Sequence, residues 1–140
     1  MKMRSQYPLL VVFALMMGGC SSSDVFHPKS AYPADPWVKG YSNSEDCLGG
    51  EDLAALEFDL PNYPKRAFQR GLQGWTIVRL DVNAVGETEN VYIERSVPEG
   101  PFDKSSRRAV EAWRFRPPEA PLKDCRILLR YQAGAVNIGS

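Results

Sequence analysis

The sequence predicts an α+β domain in which a three-stranded antiparallel sheet is covered on one face by two helices, in the order α-β-β-α-β. Three observations predict it. Trp75 to Val82 alternates and leads through a glycine-closed loop into a second alternating run. Pro64 and Gly71 bracket a helical segment before that pair of runs, apolar residues recur at spacings of three and four after it, and a final apolar run from Cys125 to Tyr131 follows a Pro117-Pro118 stop. Two alternating strands, two helices and one last strand suit a two-layer arrangement.

The elements follow from residue chemistry. Pro64 fits the first turn of a helix through Lys65, Arg66, Ala67, Phe68, Gln69 and Arg70, and Gly71 supplies the stop. In the next run Thr76, Val78, Leu80 and Val82 share one face, while Trp75, Ile77, Arg79 and Asp81 share the other. Asn83-Ala84-Val85-Gly86 forms a hairpin loop, after which Val91 and Ile93 alternate with Tyr92 and Glu94. Pro98-Glu99-Gly100-Pro101 breaks the chain. Phe102, Ser106, Ala109, Val110 and Trp113 then mark one face of an amphipathic helix. Cys125 to Tyr131 is the last strand and Ala133 to Ser140 a short tail. Glu51 to Leu60 reads equally as a helical turn or a short strand.

The start of the chain bears on the compartment. Lys2 and Arg4, the apolar run Leu9 to Met17, and Gly18-Gly19 before Cys20 have the order of a signal peptide. The run is too short for the roughly 20 residues of a spanning helix. Leu15-Met16-Met17-Gly18-Gly19-Cys20, followed by Ser21-Ser22-Ser23, resembles the lipobox of bacterial lipoproteins. That resemblance implies cleavage before Cys20, acylation of Cys20 and membrane attachment through the acyl chains. With Ser21 rather than an acidic residue after the cysteine, it implies the periplasmic side of the outer membrane. The expected organisation is a signal peptide over residues 1–19, a lipidated Cys20 with an acidic, Pro/Ser-rich linker to residue 50, and a folded domain over residues 51–140.

Charge and cysteines narrow the function. Residues 24–60 hold eight acidic and two basic side chains, residues 61–131 thirteen basic and nine acidic, so the domain is mildly basic and the tether acidic. A net +4 is too weak to argue nucleic acid. With Cys20 assigned to the anchor, Cys47 and Cys125 remain in an oxidising compartment. They are expected to form a disulfide, which would close a loop of 78 residues and contribute roughly 4 kcal/mol in chain-entropy terms. Two free thiols, or pairing between molecules, are the alternatives. Two distant cysteines and His27 make no recognisable metal-ligand set, and no cofactor is expected. Ser96 and Ser105 have no histidine in reach, so no catalytic residue is expected either.

Tyr63-Pro64, Ala67, Gly71-Leu72-Gln73-Gly74, Val78-x-Leu80-x-Val82, Gly86, Val91-x-Ile93, Ser96, Pro98, Phe102-Asp103, Ala109-Val110 and Trp113-Arg114-Phe115-x-Pro117 occur in that order. Together they resemble the TonB C-terminal domain family. The resemblance covers Tyr63 to about Tyr131 and implies binding of extended protein segments by strand addition at a sheet edge. It points to the last strand as that edge, with Arg126, Leu128 and Arg130 along it, although charged residues there equally protect an edge from unwanted pairing. The sequence itself points to a second surface. Trp75, Ile77 and Tyr92 lie opposite the helices and need a cover: the segment near Cys47, a partner, or a second copy of the domain.

Transducers of the TonB type keep an uncleaved inner-membrane helix and a long Pro-rich spacer. This sequence is expected to have neither, so the expected role is an adaptor or structural component of an envelope assembly, homo-oligomers and rings included. A transport accessory that binds receptor segments, and a peptidoglycan binder using Arg107, Arg108, Arg114 and Arg116, are the alternatives.

Overall fold

A computed structural model describes residues 24–36 and 55–139. Signal peptide, Cys20 and Cys47 lie outside the described residues. The elements are β1 (Ala55–Glu57), α1 (Lys65–Gln69), β2 (Gly74–Val82), β3 (Thr88–Val97), α2 (Asp103–Ala112), β4 (Arg114–Phe115), β5 (Leu122–Gln132) and β6 (Ala135–Ile138). β2, β3, β5 and β6 form one antiparallel sheet in the order β3-β2-β5-β6, and β1 pairs with β4 in a separate two-stranded ribbon. The α+β class and the α-β-β-α-β succession are present, and Glu51 to Leu60 resolves to a strand at its centre.

Two strands were not expected, and the sheet expected to have three strands has four. Arg114 and Phe115, just after α2, form β4 against β1. The segment read as a tail forms β6, pairing Leu129 with Ile138 and Gln132 with Ala135. Ala133 and Gly134 both have positive φ, 52° and 80°, which makes them a two-residue hairpin turn of the twist that suits adjoining strands. A short tail of small and polar residues carried too little periodicity to reveal this.

The helices pack on the face formed by Val78, Leu80, Val82, Ile127, Leu129 and Tyr131, together with Phe102, Val110, Trp113 and Phe115. Trp113 is fully buried; its indole N–H donates to the Asp59 carbonyl at 2.8 Å and its ring lies 4.3 Å from that of Phe58. Phe102 stacks on Tyr131 at 4.3 Å. Gly86, with φ of 84°, permits the ribbon to close against the hairpin: a Cβ there would stand 2.0 Å from the Phe115 carbonyl oxygen.

Three hydroxyls share the core. Thr76 donates to Ser106 at 2.8 Å, and Ser106 bonds Tyr131 at 2.7 Å, with all three residues fully buried. Removing the Ser106 hydroxyl leaves the other two short of a partner, and an unmet buried group costs about 1–3 kcal/mol. Ser106→Ala is therefore expected to lower stability by about 2 kcal/mol or more in a denaturant titration, although it removes only one atom.

Candidate functional site

The register of the central strands builds the sheet's other face. Trp75 pairs with Arg130, Ile77 with Leu128 and Arg79 with Arg126, so an apolar stripe runs beside a line of arginines. Trp75, Ile77 and Leu128 are each only 3% exposed. Tyr32 and Val97 pack against them. Among the described residues the cover that this face needs comes from residues 26–35 of the chain itself; the neighbourhood of Cys47 lies outside them. Phe26 and Tyr32, aromatic residues of the expected linker, are thus part of the fold.

The docking is made of specific contacts. The Lys29 and Ser30 amides donate to the Gly71 carbonyl at 2.9 and 3.2 Å. Gln73 holds Ser30 twice: its amide N–H donates to the Ser30 hydroxyl at 3.0 Å, and its side-chain amide donates to the Ser30 carbonyl at 2.8 Å. The Trp75 indole N–H donates to the Ala34 carbonyl at 3.0 Å. Asp35 receives Arg130 through Nε at 2.9 Å and Nη2 at 2.7 Å, while the Tyr32 hydroxyl donates to its other oxygen at 2.7 Å. Phe26 closes the end of the segment, 5.2 Å from the Phe68 ring and 5.5 Å from that of Tyr63.

Arg130 holds the Asp35 carboxyl below the usual carboxylate range; burial opposes this and the Tyr32 hydrogen bond reinforces it. A depressed native pKa contributes stability that is present above the unfolded value of about 4 and is lost as pH falls through the native value. Cleavage by an acid-tolerant protease within residues 26–35 is therefore expected to be slow at neutral pH and to accelerate below about pH 4. The Asp35→Asn protein should lack much of this dependence.

The other half of the face is polar. Glu94 accepts Arg126 at 2.7 and 3.1 Å, and Arg79 lies 2.8 Å from Asp124 and 3.5 Å from Glu94. Arg126 holds the Glu94 carboxyl low. Asp81 accepts Asn90 at 2.7 Å, the Asp124 amide at 2.9 Å and Lys123 at 3.3 Å.

The expected partner-binding residues are therefore not one free surface. Arg126 and Arg130 are bound to carboxylates, and Leu128, Trp75 and Ile77 are buried. Tyr92 remains exposed, at 47%. Nor is β5 simply the outer strand, since β6 lies beyond it. But β6 pairs only with residues Leu129 to Gln132, and Gly139 adds one bond, donating to the Leu128 carbonyl at 2.8 Å. The outer side of β5 from Leu122 to Ile127 has no strand beside it among the described residues, and neither has the outer side of β3. The four arginines read as a wall-binding set are dispersed: Arg107 lies 3.6 Å from Glu111, Arg114 donates to the Glu111 and Trp113 carbonyls, and only Arg108 enters the groove between the helices.

Cys125, on β5, is buried at 1% exposure against the helix-side core. No cluster of three metal-ligating side chains occurs among the described residues, and no helix among them is long and apolar enough to cross a membrane.

Comparison with known proteins agrees with this architecture. Residues 59–131 match the family described as the Gram-negative bacterial TonB protein C-terminal. Protein TonB of Pseudomonas aeruginosa is 34% identical over 70 residues, which are 50% of this chain and 20% of that protein. Protein TonB of Escherichia coli K12 is 33% identical over 63 residues, covering 45% and 26%. The chain thus spans only a fifth to a quarter of these relatives' length. The solution NMR structure of the Pseudomonas aeruginosa TonB CTD superposes with a TM-score of 0.54 at 27% identity, covering 61% of this chain and 90% of that one. With more than half its length inside the family match and the same arrangement of sheet and helices, this chain belongs to the TonB C-terminal family.

Proposed function

We propose that this protein is a binding component of the Gram-negative envelope, a lipoprotein adaptor whose TonB-type domain takes an extended segment of a partner protein at the edge of its sheet. The observation that carries the reading is the mismatch between β5 and β6. An eleven-residue strand bordered by a four-residue one leaves backbone donors and acceptors between Leu122 and Ile127 with no strand beside them among the described residues, the Asp124 amide excepted, which Asp81 holds. A strand added there continues the sheet in line with β6. The Glu94–Arg126 pair ties this strand to β3 across β2, so a partner meets a preformed template and loses less entropy in binding.

The anchor belongs to the same reading. Acylation at Cys20 is supported by the lipobox resemblance, and attachment on the periplasmic side of the outer membrane by Ser21. Cys20→Ser is expected to move the protein from the salt-washed membrane fraction to the soluble one; retention of the variant in washed membranes would refute the anchor. A bridge between Cys47 and Cys125 is part of the proposal, supported by disulfide bonding of Cys125 and by the assignment of Cys20 to acylation. Binding, not catalysis, is the activity proposed.

Brief in-cell crosslinking followed by purification of the tagged protein from mild-detergent membranes tests the adaptor role. Recovery of a stoichiometric set of envelope proteins is the expected result. Recovery of a free monomer alone, or of cell-wall fragments alone, would contradict it.

A further inference from the structure

A groove of about 850 Å³ runs between α1, α2 and the segment leading into α1. Lys65, Arg66 and Arg70 line it from the first helix, Lys104 and Arg108 from the second, against one carboxylate, Asp59. All five cations are exposed. Among the described residues none takes part in an ion pair, whereas Arg79, Arg107, Lys123, Arg126 and Arg130 each do. Five unpaired like charges around one concavity repel each other, an arrangement that an anionic ligand relieves. The floor is apolar, with Leu60, Tyr63 and Leu72 in it.

The second observation is where the docked segment delivers the chain. Phe26 packs on Tyr63, which lines the groove, and on Phe68 of α1. Cys20 lies six residues before Phe26, which at full extension is a reach of at most about 20 Å. An acyl anchor at Cys20 therefore holds the helix side of the domain against the bilayer. The thirty-residue linker expected from composition would have let it stand far off.

We propose that this groove docks on the anionic headgroups of the membrane that carries the anchor, with the five cations on lipid phosphates. Its occupant is a phospholipid surface; its orientation relies on acylation of Cys20, its lipid affinity does not. Docking through the helices leaves the outer side of β5 open to the periplasm for a partner strand.

The test uses the complete chain carrying Cys20→Ser, recovered from the periplasmic fraction and mixed with vesicles of phosphatidylcholine, with or without phosphatidylglycerol. Co-sedimentation is expected with the anionic vesicles only, and is expected to fall with added salt. Each basic residue near an anionic surface contributes about a fivefold change in partitioning, so Arg66→Gln with Arg70→Gln should weaken binding about 25-fold. Arg95→Gln with Arg116→Gln, exposed cations outside the groove, should weaken it less than about twofold. Absence of binding to anionic vesicles, equal weakening by the two pairs, or groove-dependent capture by peptidoglycan sacculi but not by vesicles would overturn the proposal. Mass spectrometry of Cys20 in the wild-type protein reports separately on the anchor.

Discussion

Replacing Gly71 with alanine is expected to release residues 26–35 from the sheet. Gly71 has φ of +60°, and a Cβ there would stand 2.0 Å from the His27 carbonyl oxygen and 2.6 Å from the Lys29 nitrogen. The left-handed conformation alone costs an alanine about 1–2 kcal/mol, and contacts that short cannot be kept. The segment must leave or the turn must rebuild, and either breaks the bonds from Lys29 and Ser30 to the Gly71 carbonyl. Undocking exposes Trp75, Ile77 and Leu128 together. The expected results are trypsin cleavage after Lys29 at a much higher rate, a red shift of tryptophan emission, and a fall in Tm of about 10 °C or more. Unchanged cleavage at Lys29 would show that the segment is not held in the way described.

Trp113→Ala should be more damaging still. The side chain is 1% exposed, lies between Phe58 and Phe115 and supplies the one hydrogen bond described for the Asp59 carbonyl. Truncating a buried tryptophan costs about 3–5 kcal/mol, and the carbonyl left without its donor adds to that. A fall in Tm on the order of 15 °C is expected. Trp113→Phe keeps much of the apolar area, and thermal unfolding should place it between the two; a Trp113→Ala protein that melts like the wild type would contradict this account of the core.

These two positions show what was legible in the sequence. Trp113 fell on the apolar face of a helix with ordinary periodicity, and Gly71 was visible as a helix stop, so sheet, helices and core face could be read from local pattern. Gly71's second role was not visible, because its missing Cβ makes room for a segment more than forty residues earlier. Tyr32-Pro33 and Asp35-Pro36 have the composition of a linker, yet they form the cover of Trp75. The signal that existed was indirect: an apolar outer face on a one-layer sheet had to be covered, and Asp35 and Arg130 were available to pin the cover. The groove was hidden for a different reason. Its cations are spread from Lys65 to Arg108 in sequence and converge only in the fold, where α1 and α2 line one groove. β6 was missed because its turn, Ala133-Gly134, announces itself through backbone dihedrals and not through a strong residue signal.

The central claim is that a partner protein adds a strand along the outer side of β5. A photo-crosslinking amino acid in place of Lys123, whose side chain is 64% exposed on β5, tests it in living cells most directly. Light should yield an adduct with one envelope protein from that position and none from Glu99, on the exposed turn before α2. No adduct from Lys123, or the same adducts from both positions, would contradict the claim.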